Sequence, residues 1–61
     1  MKNVSIEKRF ESGKYRIILD TNLEKSTTEI TIFGEDDQIV LMQDQEIAID
    51  VANIILEVIK N

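Results

Sequence analysis

Hydrophobic and polar residues alternate along the first two thirds of the chain, in short segments separated by turn-forming residues. A period of two is typical of β-strands that bury one face. Gly13 in the first connection and "GEDD" (34–37) in the third favour tight hairpin turns. The pattern predicts an antiparallel β-meander of four strands, at about residues 3–11, 14–21, 27–33 and 38–42.

The first of these strands has the least regular pattern. Val4, Ile6 and Phe10 share one face, but Lys8 occupies a position where the alternation requires an apolar residue. Ser5 is an acceptable helix cap, so a short helix over "SIEKRFE" is the alternative. The spacing of the apolar residues favours a strand.

The last segment, "QEIAIDVANIILEVIKN", predicts a helix over about residues 45–60, with Asp44 as its N-cap. On a helical projection its apolar arc spans about 220°, whereas a helix that covers one sheet needs an arc of about 100°. The predicted fold class is therefore α+β, a four-stranded antiparallel β-meander followed by one C-terminal helix packed on the sheet (ββββα). We expect a single domain over residues 1–61.

The wide apolar arc contains two adjacent rows of residues with 4-3-4 spacing. The first helix row consists of Ile47, Val51, Ile54 and Val58. The second helix row consists of Ala48, Ala52, Ile55 and Ile59. We expect the first row to face the sheet. The second row, together with Ile49 and Leu56, would then face a partner molecule.

The sheet also has more apolar surface than one helix can cover. Ile18, Phe33 and half of "IVLM" (39–42) belong to the face opposite the helix, and exposed apolar surface of this extent is atypical of a monomer. The predicted interface residues are Ile49, Ala52, Leu56, Ile59, Ile18 and Phe33. A second copy is the expected partner, because dimers are the commonest closed assembly. The alternatives are a different protein partner, or a curled sheet that wraps the helix in a monomer.

The length and composition of the chain also favour association. A chain of 61 residues buries only about 60% of the surface that it exposes when unfolded. There is no Cys and no His, which excludes disulfides and metal sites with thiolate or imidazole ligands. Self-association is the remaining common way to stabilise so small a core.

The charge distribution limits the classes of partner. The net charge is −5, with a balance of +3 over residues 1–16 and −8 over residues 17–61. An acidic body repels phosphates, so we expect no direct nucleic-acid binding. The N-terminus lacks the apolar segment of a signal peptide, and no apolar run approaches the ~20 residues of a membrane span. We expect a cytoplasmic protein with no membrane partner, and the abundance of Ile, Lys, Asn and Glu suggests a bacterial or phage source.

No segment carries a recognisable catalytic or binding motif. The acids of "GEDDQ" lack the spacing of a calcium loop, so they predict a solvated hairpin tip. Gly13 and Lys14 lack the second glycine and the strand–helix context of a phosphate loop. Tyr15 shares a face with Ile17 and belongs to the core. We expect no catalytic residue, no cofactor and no metal.

The expected function is therefore that of a small acidic non-enzymatic protein-interaction module, acting as a homodimer. The alternative is an acidic inhibitor that imitates nucleic acid and occupies a basic DNA- or RNA-binding enzyme. A small-ligand carrier with a pocket between helix and sheet is a third hypothesis. It has the least support, because so short a chain barely fills its own core.

Overall fold

The computed structural model describes the backbone of residues 4–60 and the side chains of residues 4–59. Each strand pairs antiparallel with its neighbour, in the order β1-β2-β3-β4. This confirms the predicted ββββα arrangement, with β4 two residues longer than expected. The predicted start of the first strand at residue 3 lies outside the described residues. The elements are β1 (Ser5–Ser12), β2 (Tyr15–Asn22), β3 (Thr27–Phe33), β4 (Gln38–Asp44) and α1 (Gln45–Lys60).

The connections form where the sequence places turn residues. Gly13, in the two-residue turn between β1 and β2, has a φ of 59°, a conformation that costs glycine nothing. Between β2 and β3, the Asn22 side-chain oxygen accepts hydrogen bonds from the backbone N–H groups of Glu24 (3.0 Å) and Lys25 (3.1 Å). Ser26 completes this turn with a φ of 54°. These local bonds hold the strands in register.

The register separates the sheet into two faces, because residues directly opposite each other in an antiparallel pair share a face. One cross-strand row on the helix-facing side is Phe10, Ile17, Ile32 and Ile39, and the next is Lys8, Leu19, Ile30 and Leu41. The open face carries Ile18 and Phe33, as the alternation predicts. The core therefore forms between α1 and the middle of the helix-facing side.

The helix packs on the sheet through its second row. Ala48 and Ala52 are buried with Ile17, Leu19 and Ile30, and Ile55 and Ile59 pack against this cluster. The expectation that the first helix row faces the sheet is wrong. Its members Val58 and Ile54 are 70% and 64% exposed, and only Val51 is partly buried.

Position on the apolar arc and side-chain size together account for this orientation. At 100° per residue the second row lies at the centre of the apolar arc, whereas the first row lies at its edge. The small side chains of Ala48 and Ala52 allow the helix backbone to approach the sheet closely, so that the large side chains of Ile17, Leu19 and Ile30 fill the space between the layers.

The helix orientation can be tested with the same charge placed at two adjacent positions of one helical turn. Ala52→Asp places an unpaired carboxylate in the core, which costs several kcal/mol. This is comparable with the total stability of about 3 to 9 kcal/mol expected for this length. We expect this variant to unfold, as measured by circular dichroism. The control Asn53→Asp lies on the exposed side and should stay folded. Equal effects of the two substitutions would contradict the orientation.

Candidate interaction surface

The helix lies asymmetrically on the sheet, with one flank over β1. Ile49 lines a cleft together with Ile6 of β1. Further along the helix, Leu56 lines a second hollow together with Ser12 at the other end of β1. The Ile49–Leu56 flank therefore follows β1, and the opposite flank, which carries the first helix row, faces the β4 side of the molecule.

Among the described residues, β4 and the first helix row contribute six of the eleven exposed large apolar side chains. Ile39, Val40 and Met42 of β4 are 50–61% exposed, and the first helix row adds Ile47, Ile54 and Val58. We call these six residues the β4-side surface. Ile39 and the three helix residues lie on the helix-facing side of the sheet, whereas Val40 and Met42 lie on its open face, so this surface includes both faces of the β4 edge.

The structure places the six predicted interface residues in three different locations. Ala52 is in the core, and Leu56 and Ile59 pack against it, so these three contact the chain's own sheet. Ile49 is 45% exposed, on the β1 flank. Ile18 and Phe33 are half-buried on the open face of the sheet. These residues do not form one patch.

Phe33 is further covered by a neighbouring cation. The Arg16 guanidinium lies 5.1 Å from the centroid of the Phe33 ring, directly across from it on β2. Cation–π contacts of this kind stabilise an exposed site by about 0.5–1 kcal/mol. The open face is therefore less available for association at Phe33 than its sequence position suggests.

Sequence reasoning missed the exposure of Ile39 on β4 and of Ile47, Ile54 and Val58 on the helix, and it left Val40 and Met42 out of the predicted interface although half of "IVLM" was placed on the open face. A signal was present in the sequence for β4. "IVLM" is apolar at four successive positions, so a strand there has apolar residues on both faces. For the helix residues the signal is their place at the edge of the apolar arc, since the second helix row lies at its centre.

The open face also carries a row of carboxylates, which we call the acidic row. Glu7 lies opposite Asp20, and Asp20 lies opposite Glu29. All three are exposed, and Arg9 Nε donates a hydrogen bond of 2.7 Å to Glu7 Oε1. Like charges directly opposite each other destabilise a sheet. The positions are far apart in sequence, so only the strand register reveals the row.

The cleft between the helix and β1–β3 has a volume of about 190 Å³. Thr21 and Thr28 line it, and their hydroxyl oxygens are hydrogen-bonded to each other at 2.8 Å. Among the described residues, no buried side-chain polar atom lacks a partner. Pockets for small ligands usually measure about 300–1,000 Å³ and contain convergent polar groups. The cleft therefore gives little support to the ligand-carrier hypothesis.

No protein-family model, curated protein or solved structure matches this chain. Among residues 4–60 there is no group of three or more Asp or Glu residues placed to hold a metal ion. The same residues form no helix that is long and apolar enough to cross a membrane.

The acidic row should reduce stability in a way that substitution reveals. Asp20→Asn removes the central charge, and we expect it to raise the free energy of unfolding by about 0.2–1 kcal/mol at low salt. The control Asp36→Asn removes the same charge at the exposed hairpin tip, where no strand opposes it. Urea denaturation measures both. A gain that persists unchanged at high salt would show that repulsion is not its cause.

The threonine pair makes a second prediction, about the cleft. Thr21→Val leaves the buried Thr28 hydroxyl without its partner, so we expect the free energy of unfolding to fall by about 1–3 kcal/mol. Adding Thr28→Val removes the unsatisfied group and should recover most of that loss. Urea denaturation of the two single variants and the double variant gives the coupling free energy between the two side chains. Additive effects would contradict a direct bond between the two side chains.

Proposed function

We propose that this protein is a small acidic non-enzymatic interaction module that acts as a homodimer through protein–protein contacts. The β4-side surface is the observation that supports the proposal. It comprises six exposed aliphatic or thioether side chains, three on β4 and three on α1. Clusters of exposed apolar side chains are uncommon on monomeric proteins and usually mark an interaction site.

The energetics of a short chain support the same proposal. Complete burial of one large aliphatic side chain contributes about 1.5–3 kcal/mol. The β4-side surface contains six side chains that are about half exposed or more. Covering several of them supplies a free energy comparable with the whole stability of about 3 to 9 kcal/mol expected for 61 residues. Association would therefore contribute substantially to the stability of the fold.

The proposal assigns no catalytic residue, cofactor or metal to the chain. The sequence contains no His and no Cys, which are the commonest general base and the strongest side-chain nucleophile. The most enclosed cleft contains a hydroxyl pair whose members bond to each other. A protein-interaction role needs neither a general base nor a side-chain nucleophile.

The proposed dimer makes a prediction about its response to salt. Each copy carries a net charge of −5, so two copies repel each other while apolar contacts attract them. Raising the salt from about 0.01 M to about 1 M shortens the screening length from about 30 Å to about 3 Å. We expect the mass of a dimer at both salts, by light scattering after size exclusion, with dissociation weaker at high salt. A monomer under both conditions would contradict the proposal.

Imitation of nucleic acid is the second candidate function. The acidic row supports it, because Glu7, Asp20 and Glu29 form a line of carboxylates across three strands. The acids of the 34–37 hairpin tip add further negative charge. The Arg9–Glu7 ion pair neutralises one end of the row, which is why this candidate stands second.

Salt dependence separates the two functions. If the chain imitates nucleic acid, its binding to a basic DNA-binding enzyme should weaken steeply with salt, and Asp20→Asn should weaken it further at low salt. The control Asp36→Asn should have a smaller effect. Isothermal titration calorimetry at several salt concentrations measures both. Binding that is insensitive to salt would contradict the imitation of nucleic acid and would favour an apolar contact.

A further inference from the structure

Two backbone hydrogen bonds at the ends of the β3–β4 pair show how β4 is bonded. The Gly34 N–H group donates to the Asp37 carbonyl at 2.8 Å, and the Gln45 N–H group donates to the Ser26 carbonyl at 2.9 Å. In an antiparallel ladder, hydrogen-bonded and non-bonded residue pairs alternate. The bonded pairs 34–37 and 26–45 lie at the two ends of the β3–β4 ladder. Counting inwards from either pair gives the same alternation of bonded and non-bonded residue pairs.

This alternation determines which backbone groups of β4 point away from β3. The residues that bond to β3 are Ile39, Leu41 and Gln43. The residues that direct their N–H and C=O groups to the free edge of the sheet are Gln38, Val40, Met42 and Asp44. The edge therefore presents a regular row of backbone donors and acceptors, which is a template for another strand.

The same reasoning applies to β1, the other edge of the sheet. The Leu23 N–H group donates to the Val4 carbonyl at 2.7 Å, so the even-numbered residues of β1 bond to β2. Three of the four outward-directed residues are charged, namely Glu7, Arg9 and Glu11. Lys8 adds a charge on the helix-facing side. Charges of this kind prevent edge-to-edge pairing.

The β4 edge has no such protection. From Gln38 to Gln43 it contains no charged residue, and its only charge is Asp44 at the last position. Ile39 is exposed on one face of the strand, and Val40 and Met42 are exposed on the other. Six of the seven residues of this edge are neutral, in a chain of net charge −5. A second copy therefore approaches here with little repulsion.

We infer that β4 pairs antiparallel with β4 of a second copy, with Leu41 opposite Leu41. The four-stranded sheets of the two copies then form one continuous eight-stranded sheet with both helices on the same face. This inference depends on the proposed homodimer and identifies its contact. It makes the association a strand addition, with the apolar side chains of β4 extending across the two-fold axis.

The strand is self-complementary in this register. Val40 lies opposite Met42 of the second copy, so the outward backbone groups of both residues form a bonded pair. Gln38 lies opposite Asp44, so the single charge of the strand meets an amide and no like charge. If one copy of β4 is shifted by two residues along the other, outward-directed residues still face each other, but one end of β4 is left unpaired. The Leu41-centred register uses all four outward residues.

The side chains on both faces also fit this arrangement. On the helix-facing side, Leu41 lies opposite its own copy, and the exposed Ile39 lies opposite Gln43 of the second copy. On the open face, Val40 lies opposite Met42 of the second copy. Aliphatic cross-strand pairs of this kind contribute favourably relative to alanine pairs. Backbone and side-chain interactions therefore favour the same contact.

Amide hydrogen exchange measured by NMR on the unmodified chain tests the inference directly. The N–H groups of Val40 and Met42 point to one edge, and those of Glu7 and Arg9 point to the other. If β4 pairs with a second copy, we expect the β4 amides to exchange at least about a hundredfold more slowly than the β1 amides, because they are released only when the dimer opens. Equally fast exchange in a sample shown to be dimeric would overturn the inference.

A pair of proline variants gives an independent test. Val40→Pro removes an outward N–H group and no bond to β3, a substitution that edge strands tolerate. We expect a folded monomer, by light scattering and circular dichroism. The control Glu7→Pro makes the same backbone change on the β1 edge and should remain a dimer. Because the exchange measurement uses the unmodified chain, the inference stays testable even if the Val40 variant fails to fold.

The outcomes separate this inference from the proposed function. A dimer that persists in a folded Val40→Pro variant would overturn the β4 contact and leave the homodimer in place. A wild-type chain that is monomeric at all concentrations would overturn both. Slow exchange at Val40 and Met42, lost together with the dimer on dilution, is the result expected if both are correct.

Discussion

The close approach of Ala48 and Ala52 to the sheet is the contact on which the other features of the molecule depend. It brings the helix backbone near Ile17, Leu19 and Ile30, which are the large side chains of the core. With one flank of the helix over β1, a single helix covers Leu41 of β4 but leaves Ile39 exposed, and Val40 and Met42 are exposed on the opposite face. The exposed apolar surface therefore follows from the way in which the core is built.

Local signals in the sequence were sufficient for the secondary structure and the order of the strands. The alternation of apolar and polar residues predicted the strands, and Gly13 indicated a turn that requires a positive φ. The rotation of the helix depended on two weaker signals. The second helix row lies at the centre of the apolar arc, and it contains Ala48 and Ala52, whose small side chains allow a close approach to the sheet. The acidic row depends on strand register, which the exact turn lengths set and which alternation alone leaves undetermined.

Charged residues are distributed unequally between the two edges of the sheet. The β1 edge carries charges at four of its eight positions, whereas the β4 edge is neutral over six of its seven. The acidic row costs some stability but adds to the net charge that keeps copies apart. Repulsion over most of the surface and a neutral edge in one place together favour one specific contact over indiscriminate association.

The unequal charge of the two edges also limits how many copies the inferred pairing could join. An exposed strand edge usually carries a risk of unlimited growth, since each added sheet presents a new edge. The inferred pairing of β4 with β4 about a two-fold axis would use the neutral edge of both copies. The two edges that remain are both β1, with Glu7, Lys8, Arg9 and Glu11 along them. The same charges that protect β1 in one chain would then end the assembly at two copies, as a closed two-fold contact requires.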